Sequence, residues 1–365
     1  MLTSAYIQHY KVGTYTSPHL LTFNERIRIQ QQPIHDTALC DAFEVIEQAR
    51  HLNKPHMARD LTYFEFITLS ALWIFKKANI EIMILEVGIG GRLDATNIID
   101  ADLAIITTIG LDHMGYLGKT REAIAKEKSG IFRANQLAIC GDSNPPKTLI
   151  QAAKRLSTQV SYMGKDFDYA IENSSHWRFK NHFTHLSALP LPILEISNAA
   201  IAFQALNLLN NFLPVAQSSY LAVINTSLAG RCEVKKTPAG TTIIFDVAHN
   251  PQATAHLAIF LEHYKNQHRS IKISAIFGML QDKDIINTIK PMITHIDEWH
   301  VAEIDDKRTA SKEQLQAAFD AYQLKPIWHD NFGINFFEQA PNHLWVAFGS
   351  FLVVSAVMGS FLKLD

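Results

Sequence analysis

Cysteine is scarce: the 365 residues hold only Cys40, Cys140 and Cys232, far apart and odd in number. They build neither a disulfide framework nor a zinc knuckle, and they fit a reducing compartment. A surplus of one charge is missing as well, since 33 Lys and Arg stand against 35 Asp and Glu, a formal −2. With no excess positive charge to displace counterions, a nucleic-acid partner is not expected. No apolar leader core opens the chain, because Gln8, His9 and Tyr10 stand where one belongs. One long uncharged run exists, Leu344 to Leu362. It is about long enough to span a bilayer. Gly349-Ser350 divides it, however, so a buried strand followed by a core-packed helix is expected, with no membrane partner and a cytoplasmic location. What is abundant is ordinary: 47 % apolar and 19 % charged residues exclude intrinsic disorder and describe a globular chain.

The length suggests roughly two domains. Short apolar runs recur at Glu81 to Val87, Leu103 to Ile109, Leu137 to Cys140, Thr241 to Val247, Ile271 to Phe277, Trp299 to Ile304 and Leu344 to Phe348. Between them, Phe64, Ile67, Ala71, Phe75 and Ala78 keep helical spacing, as do Ala253, Leu257, Leu261 and Tyr264. Continuous apolar strands linked by helices predict an α/β fold of two doubly wound, mostly parallel-sheet domains. Tyr162 to Pro192 is polar and aromatic and reads as strands and loops ahead of a helix at Asn198 to Phe212. The alternation restarts after Gly230-Arg231, which places the boundary near Ser227 to Arg231 and the domains at 1–228 and 229–365. In such sheets ligands bind outside the carboxyl ends of the strands.

Those ends carry the chemistry. The first run feeds into Gly88-Ile-Gly-Gly-Arg-Leu-Asp-Ala-Thr-Asn97, a glycine loop without the third glycine of a dinucleotide fingerprint. Glu86 lies inside the apolar run, where a carboxylate is seldom left without a cation. An ion pair with Arg92 or a divalent metal would satisfy it. The next run ends in Thr107-Thr-Ile-Gly-Leu-Asp-His113, so Glu86 and His113 are expected at adjacent strand ends, where they could share Mg²⁺. Gly118-Lys119-Thr120 imitates the tail of a phosphate loop, but the required first glycine is His113, and no other stretch fits the pattern. Lys126, Lys128 and Arg133 flank a helix end, where cations suit the dipole and a solvated face is the default. Phe245-Asp-Val-Ala-His-Asn-Pro251 puts Asp246 and His249 at a second strand end, with Asn250-Pro251 opening a helix.

Taken in order, the segments are more specific than any one of them. Thr16-Ser-Pro-His-Leu20, Leu61-Thr-Tyr-Phe-Glu65, Leu85 to Asn97 and Leu111-Asp-His113 are followed by Glu127-Lys-Ser-Gly-Ile-Phe132. Gly230-Arg231, Phe245 to Pro251 and Gly349-Ser-Phe351 complete the series. From about Lys11 onward it closely resembles the bacterial bifunctional folylpolyglutamate synthase/dihydrofolate synthase family of Mur ligases. The resemblance implies an ATPase domain and a smaller Rossmann-like glutamate ligase domain. It also implies ATP-driven amide formation through an acyl phosphate, with dihydropteroate, folates, L-glutamate and ATP as partners and Mg²⁺ as cofactor. Ser17, Glu86 and His113 are then metal ligands, and Lys128 is a carbamylated lysine beside them. Thr62, Tyr63, Phe64, Glu65, Leu93, Asp94 and Ala95 line the pteroate site. Asn198, Arg231 and Asp246 contact ATP, and His249 lies beside that set as a catalytic candidate. A monomer is expected.

Two departures from the family pattern accompany these matches. Its Gly-Thr-Asn-Gly-Lys-Gly-Ser/Thr loop and the strand before it should precede the helix at Thr3 to His9, and the sequence begins at that helix. Without the loop's N–H cradle and lysine, useful ATP turnover by residues 1–365 is not expected, and the neighbours of that strand should keep an open edge. Leu352 also follows Phe351 where relatives often have His. An inactive folate- or nucleotide-binding relic is the main rival reading. A cell-wall Mur ligase fits worse, because Leu61-Thr-Tyr-Phe-Glu65 matches the folate branch.

Overall fold

A computed structural model describes residues 1–52, 60–236, 240–268, 271–302, 304, 306–330 and 343–362. The chain forms two compact units, Met1–Thr226 and Ser227–Asp365.

In the first unit, β1 (Val12–Tyr15) is buried at every residue. Gly13 makes that possible, since a Cβ there would stand 2.7 Å from both Phe75 and Ile80. β2 (Ile27–Ile29) and β3 (Gln32–Pro33) extend the sheet antiparallel on one side. β4 (Ile82–Leu85) pairs parallel on the other, giving the order β3-β2-β1-β4. The crossover helix Tyr63–Lys77 starts with a capping box in which Thr62 and Glu65 each accept the other's backbone N–H. It ends with Lys76 and Lys77 against the negative end of its dipole. Ile67, Ala71, Ile74 and Phe75 form its buried face, packed with Tyr15, Ile27 and Leu39.

A second sheet is fully parallel: β5 (Leu103–Ile106), β6 (Leu137–Cys140) and β7 (Gln159–Tyr162). Helices Arg121–Lys128 and Lys147–Leu156 cover one face through Ile124, Ala125, Leu149 and Ala153. The polar, aromatic stretch becomes a third, antiparallel sheet of β8 (Phe167–Ile171), β9 (His176–Asn181) and β10 (His185–Pro190). Trp177 and Phe179 alternate inward from it onto Phe203 of helix Ile196–Leu209. One expectation is corrected here. β4 and β5 are not neighbours in one sheet: among the described residues no ladder joins them, and each ends its own sheet. Both pack on one core instead: Ile84, Leu103 and Ile105 lie against the cluster that includes helix Ile196–Leu209.

The described strands of the second unit form one six-stranded sheet. Its strands are β11 (Glu233–Lys236), β12 (Thr242–Phe245), β13 (Lys272–Phe277), β14 (Glu298–Ala302), β15 (Ile327–His329) and β16 (His343–Phe348). They lie in the order β11-β12-β16-β13-β14-β15, all parallel except β11. β12, β13 and β16 are buried on both faces, which is why they read as continuous apolar runs. The run expected to reach Ile304 leaves the strand at Ala302, and residue 303 lies outside the described residues. The long uncharged stretch divides into β16 and helix Phe351–Phe361. The turn between them needs Gly349, at φ +110°, with Gly278 O 2.5 Å from where a Cβ would sit. Among the described residues no helix is long and apolar enough to cross a membrane.

Candidate functional site

Because β1 and β4 run parallel, the segments after Tyr15 and Leu85 emerge side by side. Glu86 N–H bonds to Tyr15 O at 2.9 Å, and Ser17 N–H donates to Glu86 Oε2 at 2.8 Å. The backbone around Ser17 is held by Glu25, whose carboxylate accepts the N–H groups of Leu20, Leu21 and Thr22. Arg92, the cation weighed as the partner of Glu86, goes to Glu127, pairing with it at 3.1 Å and donating its backbone N–H to Glu127 O. Gly130 lies directly under Arg92, with no room for a Cβ.

The glycine loop after β4 is tied by one carboxylate. Asp94 accepts from Gly88 N at 2.9 Å, Ile89 N at 3.2 Å, Thr96 N at 2.9 Å and Thr96 Oγ1 at 2.6 Å. Four donors engage about all the lone pairs a carboxylate has, so Asp94 shapes the loop. Leu93 beside it is 80 % exposed, and Ala95 opens a short 3₁₀ turn.

The segment after β5 ends at His113, which adopts the left-handed conformation (φ +50°) and starts helix Met114–Leu117. Its N–H donates to Asp112 Oδ1 at 2.7 Å. Lys128 closes helix Arg121–Lys128 and departs from the solvated default that Lys126 follows. Burial pulls the pKa of its ammonium below the ordinary lysine value, and the charge of Asp112 acts the other way. Arg133 is held by Asp100 and by Asn97 O.

The four residues Thr62, Tyr63, Phe64 and Glu65 divide their roles. Thr62 and Glu65 cap the helix, Tyr63 is 61 % exposed, and Phe64 rests on Tyr15 and beneath Gly88. Beside them is a cavity of about 400 Å³, lined by Phe23, Phe43, Arg50, Leu61, Tyr63 and Phe66 among others. Sequence reasoning missed Arg26. Its guanidinium lies 5.7 Å from the Phe23 ring centre and 5.8 Å from that of Tyr63, and its Nε donates to His19 Nδ1. The alternation Arg26-Ile27-Arg28-Ile29 carried the signal.

Asn198 stands on helix Ile196–Leu209 of the first unit, whereas Arg231, Asp246 and His249 belong to the second. Asp246 follows β12 and is buried. Cys232 N and Ala248 N donate to its carboxylate at 2.8 and 2.7 Å, and the Cys232 thiol lies 3.3 Å away. Burial first, and then Asp246, push that thiol's pKa upward. His249 Nδ1 lies 2.8 Å from Val247 O. The Phe351 ring is a shared platform, 5.4 Å from the Arg231 guanidinium and 6.2 Å from the His249 ring. Among the described residues no three His, Cys, Asp or Glu side chains converge as a metal site.

The strand-end site and the two α/β units define a class first. The chain matches the Mur ligase middle domain over residues 35–214 and the Mur ligase glutamate ligase domain over 230–344. It is 40 % identical over 308 residues to the dihydrofolate synthase/folylpolyglutamate synthase of Escherichia coli K12, covering 84 % of this chain and 69 % of that one. With the folylpolyglutamate synthase of Lacticaseibacillus casei it shares 29 % over 365 residues, covering 96 % and 83 %. The solved E. coli FolC in complex with DHPP and ADP superposes with a TM-score of 0.86 at 37 % identity, over 98 % of this chain and 84 % of that one. The Yersinia pestis bifunctional enzyme complexed with AMPPNP and Mn ion gives 0.85 at 35 %, over 98 % and 84 %. The chain belongs to the bifunctional folylpolyglutamate synthase/dihydrofolate synthase family.

Proposed function

We propose that the protein is a cytoplasmic, ATP-dependent ligase that adds L-glutamate to dihydropteroate and to folyl-polyglutamates. The substrate's carboxylate oxygen attacks the γ-phosphorus of ATP, and ADP leaves. The glutamate amine then attacks the acyl carbon of the acyl phosphate, loses its proton, and phosphate departs. Phosphoryl transfer demands positioning and charge stabilisation more than covalent help from the protein. Family membership, with relatives named for both activities and solved with ADP, DHPP, AMPPNP and Mn, supports this reading.

In this reading Ser17, Glu86 and His113 hold Mg²⁺, an oxygen-rich donor set suited to a hard cation. The ion supplies charge neutralisation at the phosphates. The single observation carrying the site is Lys128, partly desolvated near Asp112, the residue before His113. A lowered pKa favours the neutral amine, which can add CO₂ to give a carbamate and release a proton. That carbamate supplies an anionic oxygen where the described carboxylates and imidazoles alone make no threefold set. Thr62 to Glu65 and Leu93 to Ala95 take the pteroate, with Asp94 shaping the loop that receives it. Asn198 of the first unit and Arg231 and Asp246 of the second contact ATP, and His249 of the second unit is a catalytic candidate. The protein acts as a monomer, without nucleic-acid or membrane partners.

Comparing Glu86→Gln and His113→Ala with the parent, each in the protein as its own cell makes it, tests the site, reading glutamate transfer against Mg²⁺ concentration. Both variants are expected to need more Mg²⁺ and to lose rate. Unchanged Mg²⁺ dependence in both would refute the metal assignment.

A further inference from the structure

The loop from β5 to His113 is gripped at one residue, through both its backbone N–H and its backbone C=O. Ile109 N–H donates to Asp142 Oδ2 at 2.9 Å, and Ile109 O accepts from Arg121 Nε at 2.9 Å. The two side chains that capture this residue are themselves paired, Arg121 Nη2 to Asp142 Oδ2 at 2.7 Å. Arg121 Nη2 also reaches Asn144 O at 3.1 Å, and Asn144 N–H donates to Asp142 Oδ1 at 3.0 Å. The ring therefore joins three pieces of backbone. One is the loop that carries His113. Another is the first residue of the helix that ends in Lys128. The third is the turn after β6, whose Gly141 N–H already bonds Ile106 O at 2.8 Å.

Burial decides how much this ring matters. Exposed ion pairs contribute little. Asp142, however, is only 4 % exposed, and its bonds to an N–H and a guanidinium are charge-assisted. Removing the carboxylate leaves the Ile109 N–H, a buried donor, without its acceptor. Nothing in the chemistry of phosphoryl or acyl transfer requires Asp142 or Arg121 to touch a reactant. Their reach is to the backbone four residues before His113. That residue's left-handed conformation fixes the loop's exit, so the clamp at Ile109 fixes its entrance.

We propose that Asp142 and Arg121 are positioning residues. They hold both backbone groups of Ile109 so that the loop presents His113 to the divalent cation. This rests on the assignment of His113 as a metal ligand. Groups that orient a ligand from behind are commonly worth roughly 10–100-fold in metal affinity.

The test measures Mn²⁺ binding to the intact protein with ADP present, by the electron paramagnetic resonance signal of free Mn²⁺. Thermal midpoints and Mg²⁺ activation curves are recorded alongside. The variants are Asp142→Ala, Asp142→Asn, Arg121→Lys and His113→Ala. Asp142→Ala is expected to weaken Mn²⁺ binding about tenfold, with the KM for glutamate unchanged. Asp142→Asn, which keeps an oxygen for the Ile109 N–H, should recover most of the affinity. If Asp142→Ala does not fold, Arg121→Lys carries the test, with an expected loss of a few-fold. Parent-like Mn²⁺ affinity in the Asp142 and Arg121 variants, with only a lower thermal midpoint, would overturn the inference while His113→Ala still bound weakly. Parent-like affinity in His113→Ala would overturn the ligand assignment itself, and the clamp's proposed purpose with it.

Discussion

Lys128 and Lys126 stand two residues apart on one helix, yet Lys126 is exposed whereas Lys128 is partly buried and feels the charge of Asp112. Lys128→Ala is therefore expected to cut glutamate transfer by roughly 10²–10³, the scale seen when one preorganised group at a phosphoryl or acyl centre is lost. Lys126→Ala should stay within about twofold of the parent, because an exposed cation in a helix's last turn contributes little. Steady-state assays of the two variants check this contrast, and equal losses would place the effect in the helix rather than in the amine. Residue types at strand ends were readable from sequence, and so was the demand that Glu86 find a partner. The partner itself was not. Arg92 is six residues from Glu86 but is carried to Glu127 by the backbone bond Arg92 N to Glu127 O, a long-range contact that spacing does not reveal.

Elements were legible where burial is two-sided. β12, β13 and β16 announce themselves as apolar runs because both faces are covered. β1 does not: Val12-Gly-Thr-Tyr15 has one aliphatic side chain, and it is buried because Gly13 lets Phe75 approach. The break between β4 and β5 was equally hidden, since two apolar runs say nothing about which edges pair. Helix ends are clearer. The reciprocal bonds of Thr62 and Glu65 fix the start of helix Tyr63–Lys77, so Thr62→Ala should cost about 1 kcal/mol in denaturant unfolding. Unchanged stability would show that packing alone sets that terminus. Trp177 is fully buried against Phe203, and Trp177→Ala should cost about 3–5 kcal/mol through lost contacts and the cavity left behind.

At the scale of the whole molecule, the two α/β units divide at Thr226 and Ser227, just before Gly230-Arg231, where the alternation of apolar runs and helices restarts. A pH dependence belongs to the second unit. Burial, and then the charge of His329, push the pKa of His300 down to about 4. The folded state thus refuses a proton that the unfolded chain accepts near the ordinary histidine value of about 6.5. The stability this confers is complete above about pH 6.5 and is lost as pH falls toward 4, a total of about 3 kcal/mol. Denaturant midpoints from pH 7 to 4 should fall more steeply for the parent than for His300→Gln. Parallel curves would assign the loss to other groups. The most direct measurement of what the molecule does follows labelled L-glutamate into 7,8-dihydropteroate, using the protein as its own cell makes it, with ATP and Mg²⁺. The expected result is one dihydrofolate, one ADP and one phosphate for each glutamate joined, and no joining without ATP. ATP consumption that yields no amide, or no consumption with both substrates present, would contradict the assignment as a folate ligase.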